Sequence, residues 1–528
     1  MADVDAVVIG AGHNGLVAAN RLAERGWSVL VLEAADEPGG AVRSGELTEP
    51  GFTSDLFSSF YPLAAASPAI RALGLERFGL TWRRSPLALA HPQPDGRCAV
   101  ISADLDETAA SLERFAPGDG EAWRALYAYW RRVGDPLLDA LLRPFPPLRG
   151  GARLTRVLGP RGLLPFARFA VLPVRRLAEE RFAGEGAGWL LAGNALHTDL
   201  TPESAGGGLF AWILCGLGQQ RGYPVPEGGA GRLTAALAAR LRAHGGQIEC
   251  GARVTRVLVR GGRAVGVRTS DGRELSAGKA VLATTLAPTL FNDLVGDQHL
   301  PPGFLSDLRA FQLDNATVKV DWSLDGPIPW IAEDARRAAT IHVADGMDAL
   351  TRTASQLSRR LIPDQPFLVM GQYSMVDPTR QPAGKETAWA YAHVPQRVAG
   401  DAGGDELAGR WDGRETERFV ARIEGEIERR APGFRSLVRA RHVFTPPTME
   451  AANASLAGGA VNHGTAQIHQ QVIFRPVPGL ARAETPIAGL FLAGASAHPG
   501  GGVHGAAGAN AASAAVRQAR WSARPGRR

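Results

Sequence analysis

The stretch Asp5-Ala-Val-Val-Ile-Gly10-Ala-Gly12-His13-Asn14-Gly15, followed by Val29-Leu-Val-Leu-Glu33, constrains this chain more than any other. An apolar run ends in a glycine-rich turn, helix-forming residues follow, and a second apolar run ends in an acid. The spacing predicts a βαβ unit that holds the ADP half of a dinucleotide. Gly10 permits the tight turn, Gly12 lets the backbone approach a pyrophosphate, and Gly15 lets the helix pack on the strand. The helix N-terminus offers unpaired N–H groups and a partial positive charge to the phosphates. Glu33 is placed to accept hydrogen bonds from the adenosine ribose hydroxyls. Glycine turns are common in a chain with 64 glycines. Here the strand, the helix and the acid all fall where the chemistry needs them.

The 528 residues suffice for more than one domain, and 45% hydrophobic with 21% charged residues is a globular composition. The net charge of +6 invites a nucleic-acid reading, but no aromatic-basic motif accompanies it. Lysine occurs only at Lys279, Lys319 and Lys385, so the basic residues are nearly all arginine, spread among 52 acids. Cys98, Cys215 and Cys250 match no metal or redox spacing and read as reduced thiols of a cytoplasmic protein. The first strand begins by residue 4, which leaves no room for a signal peptide. No apolar run reaches the length of a membrane span.

Just after Glu33, Gly39-Gly40-Ala41-Val42-Arg43 separates a flavin dinucleotide from a nicotinamide one. A bulky ring and its ribityl chain need small residues along this loop, and Arg43 can reach pyrophosphate or ring oxygens. A second set of signals starts at Pro226-Glu-Gly228-Gly229-Ala-Gly231. An amphipathic helix over 232–244 follows it, and then a small antiparallel hairpin set with strands at 247–250, 254–260, 264–269 and 279–283. A third set closes the chain: the apolar strand 489–494, the glycine-rich turn with Gly501, Gly502, Val503 and His504, and a small-residue helix over 506–520. The positive end of that helix suits negative charge developing on a reduced flavin. Residues 522–528 read as a frayed basic tail.

Cofactor signals in three separated blocks imply an α/β fold: a discontinuous Rossmann-type FAD-binding domain (1–75, 222–300 and 480–528) with an inserted mixed α+β substrate domain (76–221 and 301–479). Gly228–Gly231 follows prolines rather than an apolar strand, so it fails as a second dinucleotide motif. With no evident NAD(P) domain, the electrons pass to oxygen, a quinone or another diffusing carrier.

At these residues the chain resembles the phytoene desaturase-like branch of the FAD-dependent amine oxidase superfamily. Its nearest likeness is to the subgroup called pyridine nucleotide-disulfide oxidoreductase domain-containing protein 2. The motifs at 5–15, Glu33, 39–40, 226–231, Asp377-Pro378 with 382–385, and 489–510 match in order over nearly the full length. The resemblance implies that Val254 contacts the adenine and that Gly501, Gly502 and Val503 adjoin the isoalloxazine. The cofactor contacts so implied are Gly10, Gly12, His13, Asn14, Gly15, Glu33, Ala34, Gly39, Gly40, Ala41, Val42, Arg43, Val254, Gly494, Gly501, Gly502 and Val503. The chain departs from the family at His504 and at Gly458-Gly-Ala-Val-Asn462-His463-Gly464, segments that face the substrate in relatives.

The expected reaction is dehydrogenation (desaturation) of an apolar or partly apolar small molecule, by hydride transfer to flavin N5. Three other readings stand beside it: a flavin amine oxidase with an aromatic cage, a redox-neutral flavin isomerase acting on a polyene, isoprenoid-like or natural-product substrate, and a flavin-bound scaffold without turnover. No metal site is indicated. Histidines are the natural candidates for a base: His504 in the flavin-side turn, His463 in its glycine-rich loop and His197 in Asn194-Ala-Leu-His197-Thr-Asp, each weighed against an ordinary buried or surface histidine. His498 reads as a brace of the same turn. Phe57, Phe60, Tyr61 and Trp212 read as ordinary core. Residues 140–178 carry eight arginines and no acid. They suit either a solvated outer face or a peripheral contact with anionic membrane, and their six prolines argue against a long helix.

Overall fold

A computed structural model describes residues 3–522. The expected basic tail therefore lies, apart from Ser522, outside the described residues. Strand Val4–Ile9, helix His13–Ala23 and strand Val29–Leu32 form the opening βαβ unit, with Ile9 opposite Leu32 in parallel register. Remote segments complete this parallel layer. Gln247–Glu249 joins beyond Val29–Leu32, the C-terminal half of Glu274–Ala283 lies on the other side of Val4–Ile9, and Leu490–Leu492 pairs with that strand. The strands are apolar on both faces because both are covered. Helices His13–Ala23, Gly231–Ala243 and Ala506–Ser522 pack on one face. An antiparallel ribbon and residues 287–300 pack on the other. Leu75 and Leu80 also lie in the first of these cores, which thus reaches slightly past residue 75.

The hairpin set differs from the sequence expectation at both ends. Gln247–Glu249 is a strand of the parallel layer rather than of the ribbon. Glu274–Ala283 is one ten-residue strand, antiparallel to Arg263–Thr269 at Glu274–Ser276 and parallel to Val4–Ile9 further on. Ser276 and Gly278 have weak strand propensity, but neighbours on each side supply ladder hydrogen bonds that override it.

A second seven-stranded sheet runs in the order Val438–Phe444, Ala316–Leu324, Glu386–Val394, Leu368–Gln372, Ala338–Val343, Leu87–Pro92 and Cys98–Ser102. Its two faces differ in chemistry. Val318, Val320, Trp322, Ile341, Met370 and Ala390 face helix Gly413–Glu428 through Phe419, Val420, Ile423 and Ile427. The opposite face carries Thr317, Lys319 and Asp321 alongside His393, Tyr391 and Trp389 of the paired strand. Helices Asp119–Leu141, Leu148–Val171, Val174–Arg181, Gly186–Ala195 and Gly207–Arg221 form an aromatic core beside it, and Trp212 is buried there as expected.

Residues 140–178 hold no long unbroken helix, as their prolines predict, although shorter helical segments do form. Leu148–Val171 is two helical segments joined at a non-helical Gly159 with φ 66°. Pro160 stands directly after that break, in the first turn of the second segment, where its missing N–H costs nothing.

Candidate active site

A cavity of about 590 Å³ lies between the two sheets. On its dinucleotide side the wall is mostly backbone. Gly10 has φ 94°, and a Cβ at Gly15 would collide with the Gly10 carbonyl oxygen, so strand, turn and helix fit only without side chains there. A Cβ at Gly12, by contrast, would meet nothing within 4 Å. The helix that starts at His13 has no side-chain cap and no acid in its first turn. Its N-terminal N–H groups are therefore free for an anion. Gly40 brings the next loop against this turn, its Cβ position 3.1 Å from the Cα of Gly12.

Glu33 lines the cavity while its Oε2 accepts from the Ala11 N–H at 2.7 Å and its Oε1 from the Ala35 N–H at 3.0 Å. These bonds fix the carboxylate and leave lone pairs for ribose hydroxyls. His13 Nε2 and Asn14 Oδ1 are buried with no partner. Open space at Gly12 beside a free helix N-terminus fits a dinucleotide phosphate group. Ala34, Ala41, Arg43, Val254, Gly494, Gly501, Gly502 and Val503 line the same cavity. Arg43 donates from Nε to the Gly40 carbonyl at 3.0 Å and stacks over Phe57. Gly15, Gly39 and Val42 shape the wall from behind: the Gly39 N–H donates to the Ala11 carbonyl at 3.0 Å, and Val42 is fully buried.

The second sheet and its helices supply the other wall. Phe60, Tyr61, Phe210, Trp389 and Tyr391 line it, and the Trp389 and Tyr391 rings are parallel with centroids 6.0 Å apart. Gly371 has no side chain because Trp389 and Phe60 occupy the space where a Cβ would stand. Lys319 also lines the cavity and is ion-paired with buried Asp321. Glu33 is the only carboxylate among the described lining residues. Tyr61 is buried in the core as expected, but it also lines the cavity, and the half-buried Phe57 and Phe60 line it too, which corrects their reading as ordinary core. Trp389 and Tyr391 went unread in the sequence. Their i, i+2 spacing in an apolar run was the available signal.

The three candidate histidines separate. His504 is 2% exposed and does not line the cavity; its Nδ1 accepts from the Ala506 N–H at 3.0 Å and its Nε2 lies 3.2 Å from the Gly500 carbonyl. It caps the last helix and braces the glycine turn, which corrects its assignment as a base. His498 braces the same turn through the Arg143 carbonyl at 2.9 Å. His463 and His197 do line the cavity. Burial lowers each of them to about 4, so both are neutral at physiological pH. The His463 loop is held by fully buried Arg475, which donates to the Asn462, His463, Thr465 and Ala495 carbonyls at 2.8–3.1 Å. No sequence signal marked Arg475.

The motifs at 226–231 and 377–378 meet below the cavity. Buried Arg380 donates to Asp55 at 2.7 Å, to Asp377 at 2.9 Å and to the Pro226 carbonyl at 3.1 Å. Asp55 also accepts from the Ala230 N–H, and Asp377 from the Gly228 N–H. The N–H groups of this cluster thus serve internal partners: two carboxylates, the Pro226 carbonyl and the Ser44 hydroxyl.

Residues 15–516 match the family model described as flavin containing amine oxidoreductase. The chain belongs to this family. With the ADP-binding turn, membership makes FAD the cofactor and the protein a flavin oxidoreductase. Among the family's curated members, the chain is 30% identical to the rat (Rattus norvegicus) pyridine nucleotide-disulfide oxidoreductase domain-containing protein 2, over 97% of this chain and 93% of that one. It is 26% identical to the lycopene-forming phytoene desaturase of Pseudescherichia vulneris, over 94% and 96%. Among solved structures of this fold, cyclohexylamine oxidase from Brevibacterium oxydans superposes with a TM-score of 0.59 at 17% identity, covering 99% of this chain and all of that one.

Proposed function

We propose that this flavoenzyme dehydrogenates an uncharged, apolar or partly apolar small molecule. The observation that carries this reading is the composition of the second wall: aromatic rings beside neutral imidazoles, hydroxyls and the ion-paired Lys319, with no carboxylate to pair a cationic substrate. Bound FAD supplies the two-electron acceptor for a substrate C–H. The protein orients the substrate against Phe60, Tyr61, Trp389 and Tyr391 and excludes water. His463, neutral and held in place by Arg475, accepts the proton lost from the adjoining atom. Its basicity is modest, so the chemistry rests mainly on positioning. Oxygen or a quinone then takes the electrons.

The paired rings of Trp389 and Tyr391 favour one competing reading, oxidation of a neutral amine. Anaerobic mixing with hydrocarbon and amine panels separates the two: bleaching of the flavin band by hydrocarbons supports dehydrogenation, and bleaching by cyclohexylamine alone overturns it. His463→Gln is expected to slow bleaching by about 100-fold at unchanged flavin content.

Substrate uptake from an anionic lipid surface belongs to this reading. Leu148, Leu163, Leu164 and Val171 are exposed on the kinked helix Leu148–Val171, among the exposed Arg149, Arg153, Arg156 and Arg161. No described helix is long and apolar enough to cross a membrane.

A further inference from the structure

The wall built by the second sheet holds an imidazole pair. His197 follows helix Gly186–Ala195 and lines the cavity. His342, on strand Ala338–Val343, lies behind it and is fully buried. Their Nε2 atoms are 2.7 Å apart. At that separation one nitrogen donates and the other accepts, so the ring that accepts must carry its own hydrogen on Nδ1.

Two arrangements meet that condition. If His197 donates, the hydrogen of His342 sits on Nδ1, which is buried without a partner. That nitrogen packs on the backbone of Gly193, where a Cβ would collide with it, and nothing there accepts a hydrogen bond. If His342 donates instead, its Nδ1 is a bare lone pair against a C–H group. The hydrogen of His197 then sits on Nδ1, the ring nitrogen not engaged by His342, in a residue that lines the cavity. Stranded N–H groups are rarer in protein interiors than unused acceptors. The second arrangement therefore has the lower energy.

We propose that His342 fixes His197 as an Nδ1–H donor facing the cavity, and that the substrate presents a neutral oxygen acceptor to it (a carbonyl, hydroxyl or ether) on an otherwise apolar frame. His197 is then a specificity-determining residue and not a base. Burial keeps it neutral, so it favours a dipolar acceptor and gives no attraction to an ammonium group. Thr340, two residues before His342 on the same strand face, adds an unpaired hydroxyl to the cavity. This substrate class rests on the dehydrogenase reading above, whereas the tautomer does not.

Two measurements on the FAD-loaded full chain test the proposal. Nitrogen-15 NMR of the histidine rings, assigned by loss of signals in His197→Phe and His342→Phe, reports the tautomers directly. Expected are a protonated Nδ1 with a bare Nε2 in His197, and a protonated Nε2 with a bare Nδ1 in His342. The reverse pattern overturns the lock. Binding of limonene and of its ketone, carvone, followed by perturbation of the flavin band, tests the substrate class. The ketone is expected to bind about 10-fold tighter, and the ratio to fall to about two or less in His197→Phe and in His342→Phe. Equal affinity in the wild type, a ratio retained in both variants, or no response to either probe overturns the substrate class. Failure of the dehydrogenase reading registers separately, as a flavin band that no hydrocarbon or oxygenated analogue bleaches.

Discussion

On the dinucleotide side of the cavity, backbone faces the ligand: Gly10, Gly12, Gly15 and Gly40 matter for side chains they lack. On the sheet side, Phe60, Trp389, Tyr391, His197 and His463 matter for side chains they have, each placed by pairing between strands or loops far apart in the chain. The first wall must leave room for the ligand and the second depends on register. The walls should therefore fail differently under mutation.

The largest effect is expected at Gly12. The Cβ of Gly12→Leu would meet no protein atom within 4 Å, and the rest of the side chain would enter the cofactor's space, so the apoprotein should melt close to the wild type while FAD binding is lost. The ratio of flavin to protein absorbance after reconstitution measures this, and a yellow variant would overturn the assignment of that wall. Next comes the ion cluster beneath both walls. Arg380→Met leaves Asp55 and Asp377 buried with no opposing charge, at a cost of about 3–5 kcal/mol in urea unfolding. A loss below 1 kcal/mol would show that the cluster joins nothing.

The histidines give a graded third test. Burial lowers His13 and His91 to about 3, and His197, His463 and His504 to about 4. Each binds a proton in the unfolded chain near pH 6.5 but not in the fold. Stability is thus fully present above about pH 6.5 and lost as pH falls toward 4, by about 1.4 kcal/mol per pH unit for each buried imidazole. A urea midpoint that is flat across this window would contradict their burial. The smallest effect belongs to the outer helix. Leu164→Ser with Arg153→Glu should weaken binding to phosphatidylserine vesicles several-fold in a flotation assay, with stability within about 0.5 kcal/mol of wild type.

The same contrast explains what the sequence could show. The backbone wall was legible because its requirements are local: Gly10 to Gly15 and Glu33 stand at fixed spacings along one βαβ unit. The later strand at 490–492 was legible as an apolar run before a glycine turn. The sheet wall was not, because Trp389 and Tyr391 face the cavity only through their pairing with Asp321 and Lys319. His504 misled for the same reason. Its position beside the glycine turn was right, but only the fold shows that both ring nitrogens are taken by backbone. Arg475, amid apolar residues and prolines, carries no local mark of its grip on the His463 loop.

The last helix touches the first so closely that Gly508 leaves no room for a Cβ against the Asn14 carbonyl. Strand Leu490–Leu492 likewise completes the layer begun by Val4–Ile9. A nascent chain emerging from the ribosome therefore cannot finish its nucleotide pocket until the strand Leu490–Leu492 and the helix after it have been synthesised. Capture of the vitamin-derived prosthetic group must wait for that segment, and a stop codon placed before Leu490 would yield a colourless product.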